Sequence, residues 1–73
     1  MANNFKVLRL SKGLTVEELA IVSGIHIQTI NAIESDKDRE PRRDTMIELA
    51  KGLGVSYEAV CTAIYGSPQT AGA

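Results

Sequence analysis

The sequence predicts an all-α fold, a compact bundle of about five short helices. Three observations carry that expectation. Apolar side chains recur at helical spacing in five short stretches rather than in one long run. Residues suited to starting a helix precede several of those stretches, and glycines suited to stopping one follow. At 73 residues the chain makes one small domain. A domain of that size buries roughly 60% of the surface its unfolded form exposes, so a modest aliphatic core must suffice.

The first helix covers about residues 4–11, with Phe5, Leu8 and Val7 on its apolar face. Gly13 ends it by taking a left-handed conformation. The second begins at Thr15, whose T-x-x-E spacing to Glu18 makes a capping box in which each side chain satisfies a backbone donor. Leu14 is the hydrophobic staple, and Leu19, Ala20 and Ser23 face inward, Ala20 being the small residue a close helix crossing needs. Gly24 breaks this helix and Ile25 plugs the turn from the apolar side. His26 takes the N-cap of the third helix, where Ser or Thr is more usual. Ile30 and Ile33 continue the buried stripe to an end near Glu34 or Ser35. The polar segment 35–44, which holds Pro41, is a loop. Asp44 caps the fourth helix, whose apolar face is Met46, Ile47, Leu49, Ala50 and Leu53; Gly52 and Gly54 weaken and stop it. Ser56 caps a fifth helix that runs to about Tyr65 with Val60, Cys61 and Ile64 at helical spacing. The domain is thus expected over residues 1–66, with 67–73 a flexible C-terminal tail.

Several functional classes are not expected. Cys61 and His26 are the only cysteine and histidine, too few for a structural zinc site, and Cys61 reads as a small buried side chain. No metal, cofactor or small-molecule ligand is anticipated. No apolar run approaches the length of a membrane span, and the opening MANNFKVLRLSKG lacks a signal peptide's continuous apolar segment. A soluble, cytoplasmic protein is the expectation. Nothing suggests an enzyme: there is no nucleophile–base pair and no glycine-rich phosphate loop, and Glu17, Glu18, Asp36 and Asp38 read as solvated charge.

The net charge is −1. Lys6, Arg9 and Lys12 lie near the start, and Lys37, Arg39, Arg42 and Arg43 in the middle, where Glu34, Asp36, Asp38, Glu40 and Asp44 dilute them. Segment 34–44 is therefore either a solvated, charge-mixed loop or a phosphate-binding one.

Residues 15–34, TVEELAIVSGIHIQTINAIE, set a capped helix, a glycine turn and a second short helix in succession. That spacing is the helix-turn-helix, whose second helix can lie in the DNA major groove. The wider chain resembles the phage repressor and Cro-like helix-turn-helix family, also called the XRE family. The likeness runs through Leu8-Arg9, KGLT at 12–15, EELA at 17–20, Gly24-Ile25 and T-I-x-x-I-E at 29–34. It continues with Pro41, Asp44-Thr45 and ELAKGLGVS at 48–56. Order and spacing carry it, not any single piece. The resemblance implies a lambda-repressor-like bundle, transcription regulation, double-stranded DNA as ligand and a homodimer. It also implies a structural salt bridge between Arg9 and Glu34, a job for which an Arg–carboxylate fork is suited, and one that could orient Arg9 near the DNA backbone.

The same resemblance assigns the DNA face to Val16, Ile27, Gln28, Thr29, Asn31 and Ala32, with Lys37, Arg39, Arg42 and also Lys6 on phosphates. Here the sequence departs from the family. Gln is common where Val16 stands, Arg, Gln or Lys where Ile27 stands, and Arg or Gln where Ala32 stands. Gln28, Thr29 and Asn31 keep polar side chains. A glutamine pairs bidentately with adenine, a good pair giving about 1–3 kcal/mol of discrimination, whereas Ile27 and Ala32 can only touch a thymine methyl or exclude water. Backbone amides at the starts of the second and third helices remain able to bind phosphate.

Ile21 and Val22 also fall where relatives carry polar residues. With Val16 and Ile27 they either form a continuous apolar patch of the kind that marks protein interfaces, or are scattered surface apolars that need no explanation. Two functions therefore stand. One is a DNA-binding transcriptional regulator that reads the major groove with its third helix. It would act as a homodimer through Tyr57, Val60, Ile64 and Tyr65, although core packing explains Val60 and Ile64 equally well. The other is a modulator or antirepressor that docks onto another repressor protein through the patch, its acidic surface complementing a basic DNA face.

Overall fold

The computed structural model describes residues 3–66. Five helices follow in order: α1 (Phe5–Ser11), α2 (Val16–Ser23), α3 (Ile27–Glu34), α4 (Arg43–Leu53) and α5 (Tyr57–Tyr65). The tail expected at 67–73 lies outside the described residues.

Local chemistry sets most of these boundaries. At α2 the Glu18 N–H donates to Thr15 Oγ1 at 3.0 Å and the Thr15 N–H to Glu18 Oε1 at 2.9 Å, so the capping box is complete. Leu14 and Leu19, which flank that cap, both pack into the core. Gly24 stops α2 and Gly54 stops α4, each in the left-handed region that a Cβ would strain. At α5 the Ala59 N–H donates to Ser56 Oγ at 3.1 Å. The end of α3 is closed by a non-glycine: Asp36 has φ +67°. There the Lys37 N–H bonds the Ala32 carbonyl at 2.9 Å and the Asp36 N–H bonds that of Ile33 at 3.2 Å, the Schellman pattern.

Phe5, Leu19, Ile30, Ile33, Leu49 and Val60 are wholly buried. Around them α1 packs on α3 and α5, α2 on α3 and α4, and α4 on α5, so the helices close a ring about one core. Cys61 is buried within it.

Three expectations are corrected, and Gly52 and Asn3 take roles not expected from the sequence. Val7 is exposed rather than on the apolar face of α1, because it lies about 200° around the helix from Phe5. Asp44 is not the cap of α4: the helix starts one residue earlier, Arg42 is its extended N-cap with no side-chain bond, and Asp44 sits in the first turn. Burial of Pro41 pins the chain just before this point. Gly52 is a small residue required at the α2–α4 crossing: a Cβ on it would stand 3.0 Å from Ser23 Cβ and 3.2 Å from Val22 Cγ2. Val60 and Ile64 are core, so they do not offer a dimer surface, and Tyr57 and Tyr65 are half-buried against the same core. The reason is that α5 closes the ring between α4 and α1 and must turn its apolar stripe inward. Finally, Asn3 secures the N-terminus, accepting the Phe5 N–H at 3.0 Å and donating Nδ2 to the Ile33 carbonyl at 2.7 Å.

Candidate nucleic-acid interface

A buried ion pair positions the helix-turn-helix. Arg9 Nε donates to Glu34 Oε2 at 2.6 Å and Nη2 to Glu34 Oε1 at 3.1 Å, while Nη1 reaches the Leu14 carbonyl at 2.8 Å. One guanidinium thereby ties α1 to the last residue of α3 and to the turn that leads into α2. Only 6% of the Arg9 side chain and 10% of the Glu34 side chain meet solvent. The hydrogen bond to Glu34 holds the Arg9 pKa above its ordinary value, against burial, which lowers it. The donors of Arg9 are spent on this fork and on the Leu14 carbonyl. Among the described residues no buried side-chain polar atom lacks a partner.

The turn between α2 and α3 is fixed by Ser23, whose Oγ donates to the Leu19 carbonyl at 2.6 Å and accepts the Ile25 N–H at 3.2 Å. Beyond it α3 starts at an extended His26 with no side-chain cap and no acid in its first turn. The start of α2 differs: its capping box is closed, and Glu17 and Glu18 occupy its first turn. Two carboxylates there oppose a phosphate, whereas the first turn of α3 carries none.

The exposed side of α3 carries Gln28 and Asn31, flanked by half-buried Thr29 and Ala32 and by Ile27, which is 38% exposed. A groove runs along one flank, walled by Lys6 from α1, by Gln28, Asn31, Ala32, Ser35 and the Arg9-paired Glu34, and by Lys37 beyond the end of α3. Asp36 makes this possible: its left-handed turn folds Lys37 back so that its N–H meets the Ala32 carbonyl. Lys6 and Lys37 are far apart in sequence, and their convergence was not legible there. Arg39 and Arg42 are exposed, as a phosphate contact requires, but they do not line this groove. Arg43 instead stacks over Tyr57, its guanidinium carbon 5.6 Å from the ring centroid.

On the other flank Glu17, Ala20, Ile21, His26 and Ile27 line a second, mainly apolar groove. The four-residue apolar patch expected from the sequence is not gathered here. Val16 is half-buried against the core, and Val22, though exposed, turns toward α4 at Gly52. Ile21 and Ile27 alone share the groove. Among the described residues no group of three or more His, Cys, Asp or Glu side chains is placed to hold a metal ion, and no helix is long and apolar enough to cross a membrane.

Comparison with known sequences agrees with this geometry. A family model described as helix-turn-helix matches residues 5–60. A protein of Sinorhizobium fredii described as an HTH-type transcriptional regulator, y4dJ, is 40% identical over 62 residues, which is 85% of this chain and 79% of that protein. A Bacillus subtilis protein described in the same terms, RghRB, is 43% identical over 56 residues, 77% of this chain but only 40% of its own length. No solved structure gives a significant match.

Proposed function

The chain belongs to the XRE-type helix-turn-helix family and is a DNA-binding regulator of transcription, and from that premise we propose how the binding is made. Helix α3 enters the major groove with Gln28 and Asn31 toward the base edges. Lys6 and Lys37 hold phosphates on one side, Arg39 and Arg42 extend that contact, and the uncapped start of α3 offers its amides to a further phosphate. The observation that carries this reading is the convergence of Lys6, Gln28, Asn31 and Lys37 on one groove beside a helix locked by the Arg9–Glu34 fork. The net charge of −1 is no obstacle, because Lys6 and Lys37 meet on that side of α3 while Glu17 and Glu18 stand at the start of α2.

The protein acts as a homodimer on two half-sites about 34–36 Å apart, the spacing that presents both on one face of the duplex. Tyr57 and Tyr65, half-buried on α5, contribute to the contact between copies. The action is cytoplasmic and consists of binding alone, without catalysis. Docking onto another repressor has less support, since only Ile21 and Ile27 of the proposed docking set share a surface.

The test is an unbiased selection from random duplexes, followed by binding measurements on the enriched sequence. A palindromic or direct-repeat site is expected. Lys37→Ala should weaken binding to all duplexes and lower the log–log salt slope by about 0.9 per protomer. Removing the Gln28 and Asn31 side chains together should reduce discrimination among sequences far more than general affinity. If no sequence is enriched, the reading fails.

A further inference from the structure

We infer that the half-site is A·T-rich at the bases read by α3, and that Ile27 together with Ile21 receives the C5-methyl of a thymine there. The inference rests on the DNA-binding reading and adds the base chemistry to it.

The first support is what α3 lacks. Its sequence, IQTINAIE, holds no Arg or Lys. Guanine presents two acceptors in the major groove, O6 and N7, and is read best by the donors of Arg or Lys. The fork consumes Arg9, and Lys6 and Lys37 line the flank of α3 opposite Ile27. The side chains that α3 does present, Gln28 and Asn31, match the donor–acceptor pair of adenine N6 and N7.

The second support is the apolar groove. Ile21 is 80% exposed and Ile27 38% exposed, and neither belongs to the core or to the residues packed against it. They wall one groove with Ala20 and His26 at the first turn of α3, the part of a recognition helix that meets base edges. Glu17 also lines this groove, and its carboxylate disfavours a phosphate against the two isoleucines, while the amides at the start of α3 open along the helix axis. Only one apolar group projects from base edges into the major groove, the thymine C5-methyl. Gln28 follows Ile27 about 100° further round the helix. The two side chains are therefore placed to read the two members of an A·T pair or of adjacent A·T pairs.

The experiment starts with the full chain and the duplex enriched from a random pool, in which A·T pairs are expected at the centre of each half-site. Each thymine is then replaced singly by deoxyuridine, which removes the methyl and leaves pairing unchanged. At one position per half-site affinity should fall about three- to fivefold, the effect of one buried methyl lost. Ile27→Ala should bind the thymine and deoxyuridine duplexes equally while keeping the thermal stability of the parent, and Ile27→Arg should move the selected base at that position toward guanine. Enrichment of a G·C-centred half-site, or indifference to every deoxyuridine, overturns this inference and leaves the DNA-binding reading standing. Absence of any enriched duplex overturns both.

Discussion

The two helices of the motif start in opposite ways. Helix α2 begins behind a closed capping box and carries two carboxylates in its first turn; α3 begins behind a histidine that makes no side-chain cap and carries none. Both helices are equally anchored, with Leu19 and Ile30 wholly buried in one core. Stability therefore does not require the difference. A capped, acidic start satisfies its own donors and repels anions, whereas an uncapped, neutral start keeps its amides for something else. The contrast fits the proposed complex, in which α2 supports and the beginning of α3 meets the ligand.

The largest test removes what makes the contrast usable, the common mount of both helices. Arg9 grips the last residue of α3 and the carbonyl of Leu14 just ahead of the α2 cap. Glu34→Ala leaves that guanidinium buried without its carboxylate and should destabilise the domain by about 3–5 kcal/mol in urea denaturation. Arg9→Met combined with Glu34→Met should recover much of the loss, since no buried charge then lacks a partner. A cost below about 1 kcal/mol for the single change would mean that the fork is peripheral and that packing alone sets the two helices.

A second change strikes the support helix alone. The β-carbon of Gly52→Val would press on Ser23 Cβ and Val22 Cγ2 at the α2–α4 crossing, at a cost of about 1–3 kcal/mol. Amide exchange should rise in α2 more than in α3. Equal loosening of both helices would show that they respond as one rigid unit and would blunt the comparison.

The inward half of this architecture was legible in sequence because it is local. The Thr15–Glu18 box, the stop at Gly24 and the helical spacing of Leu19, Ile30 and Ile33 depend on neighbours within a turn or two, and all appear in the structure. What escaped depends on which helices meet. Gly52 is needed only because Ser23 stands over it. Val16 is half-buried against the core, and Val60 and Ile64 are spent closing the ring. Asn3 matters through the Ile33 carbonyl on another helix. The interface divides along the same line. Gln28 and Asn31 follow from helical phase alone, but the meeting of Lys6 with Lys37 requires α1 to pack on α3 and the chain to reverse at Asp36.

The smallest effects make the most direct test, since they alter the two helix starts themselves. Thr15→Ala opens the start of α2 by removing the acceptor of the Glu18 N–H, and should cost about 1 kcal/mol of stability. DNA affinity should not change, because Glu17 and Glu18 already keep phosphate from that end. His26→Ser does the reverse at α3. A serine hydroxyl at the N-cap accepts a first-turn amide and should stabilise the domain by about 0.5 kcal/mol. The amide it occupies is then no longer available to phosphate, so DNA affinity should fall although the protein has become more stable. A stabilised variant that binds less tightly cannot be explained by damage to the fold, which makes the opposite signs informative. Melting temperatures and affinities for the selected duplex, measured on both variants, decide the matter. If His26→Ser gains stability with affinity unchanged, the start of α3 is merely uncapped and its contrast with α2 carries no function.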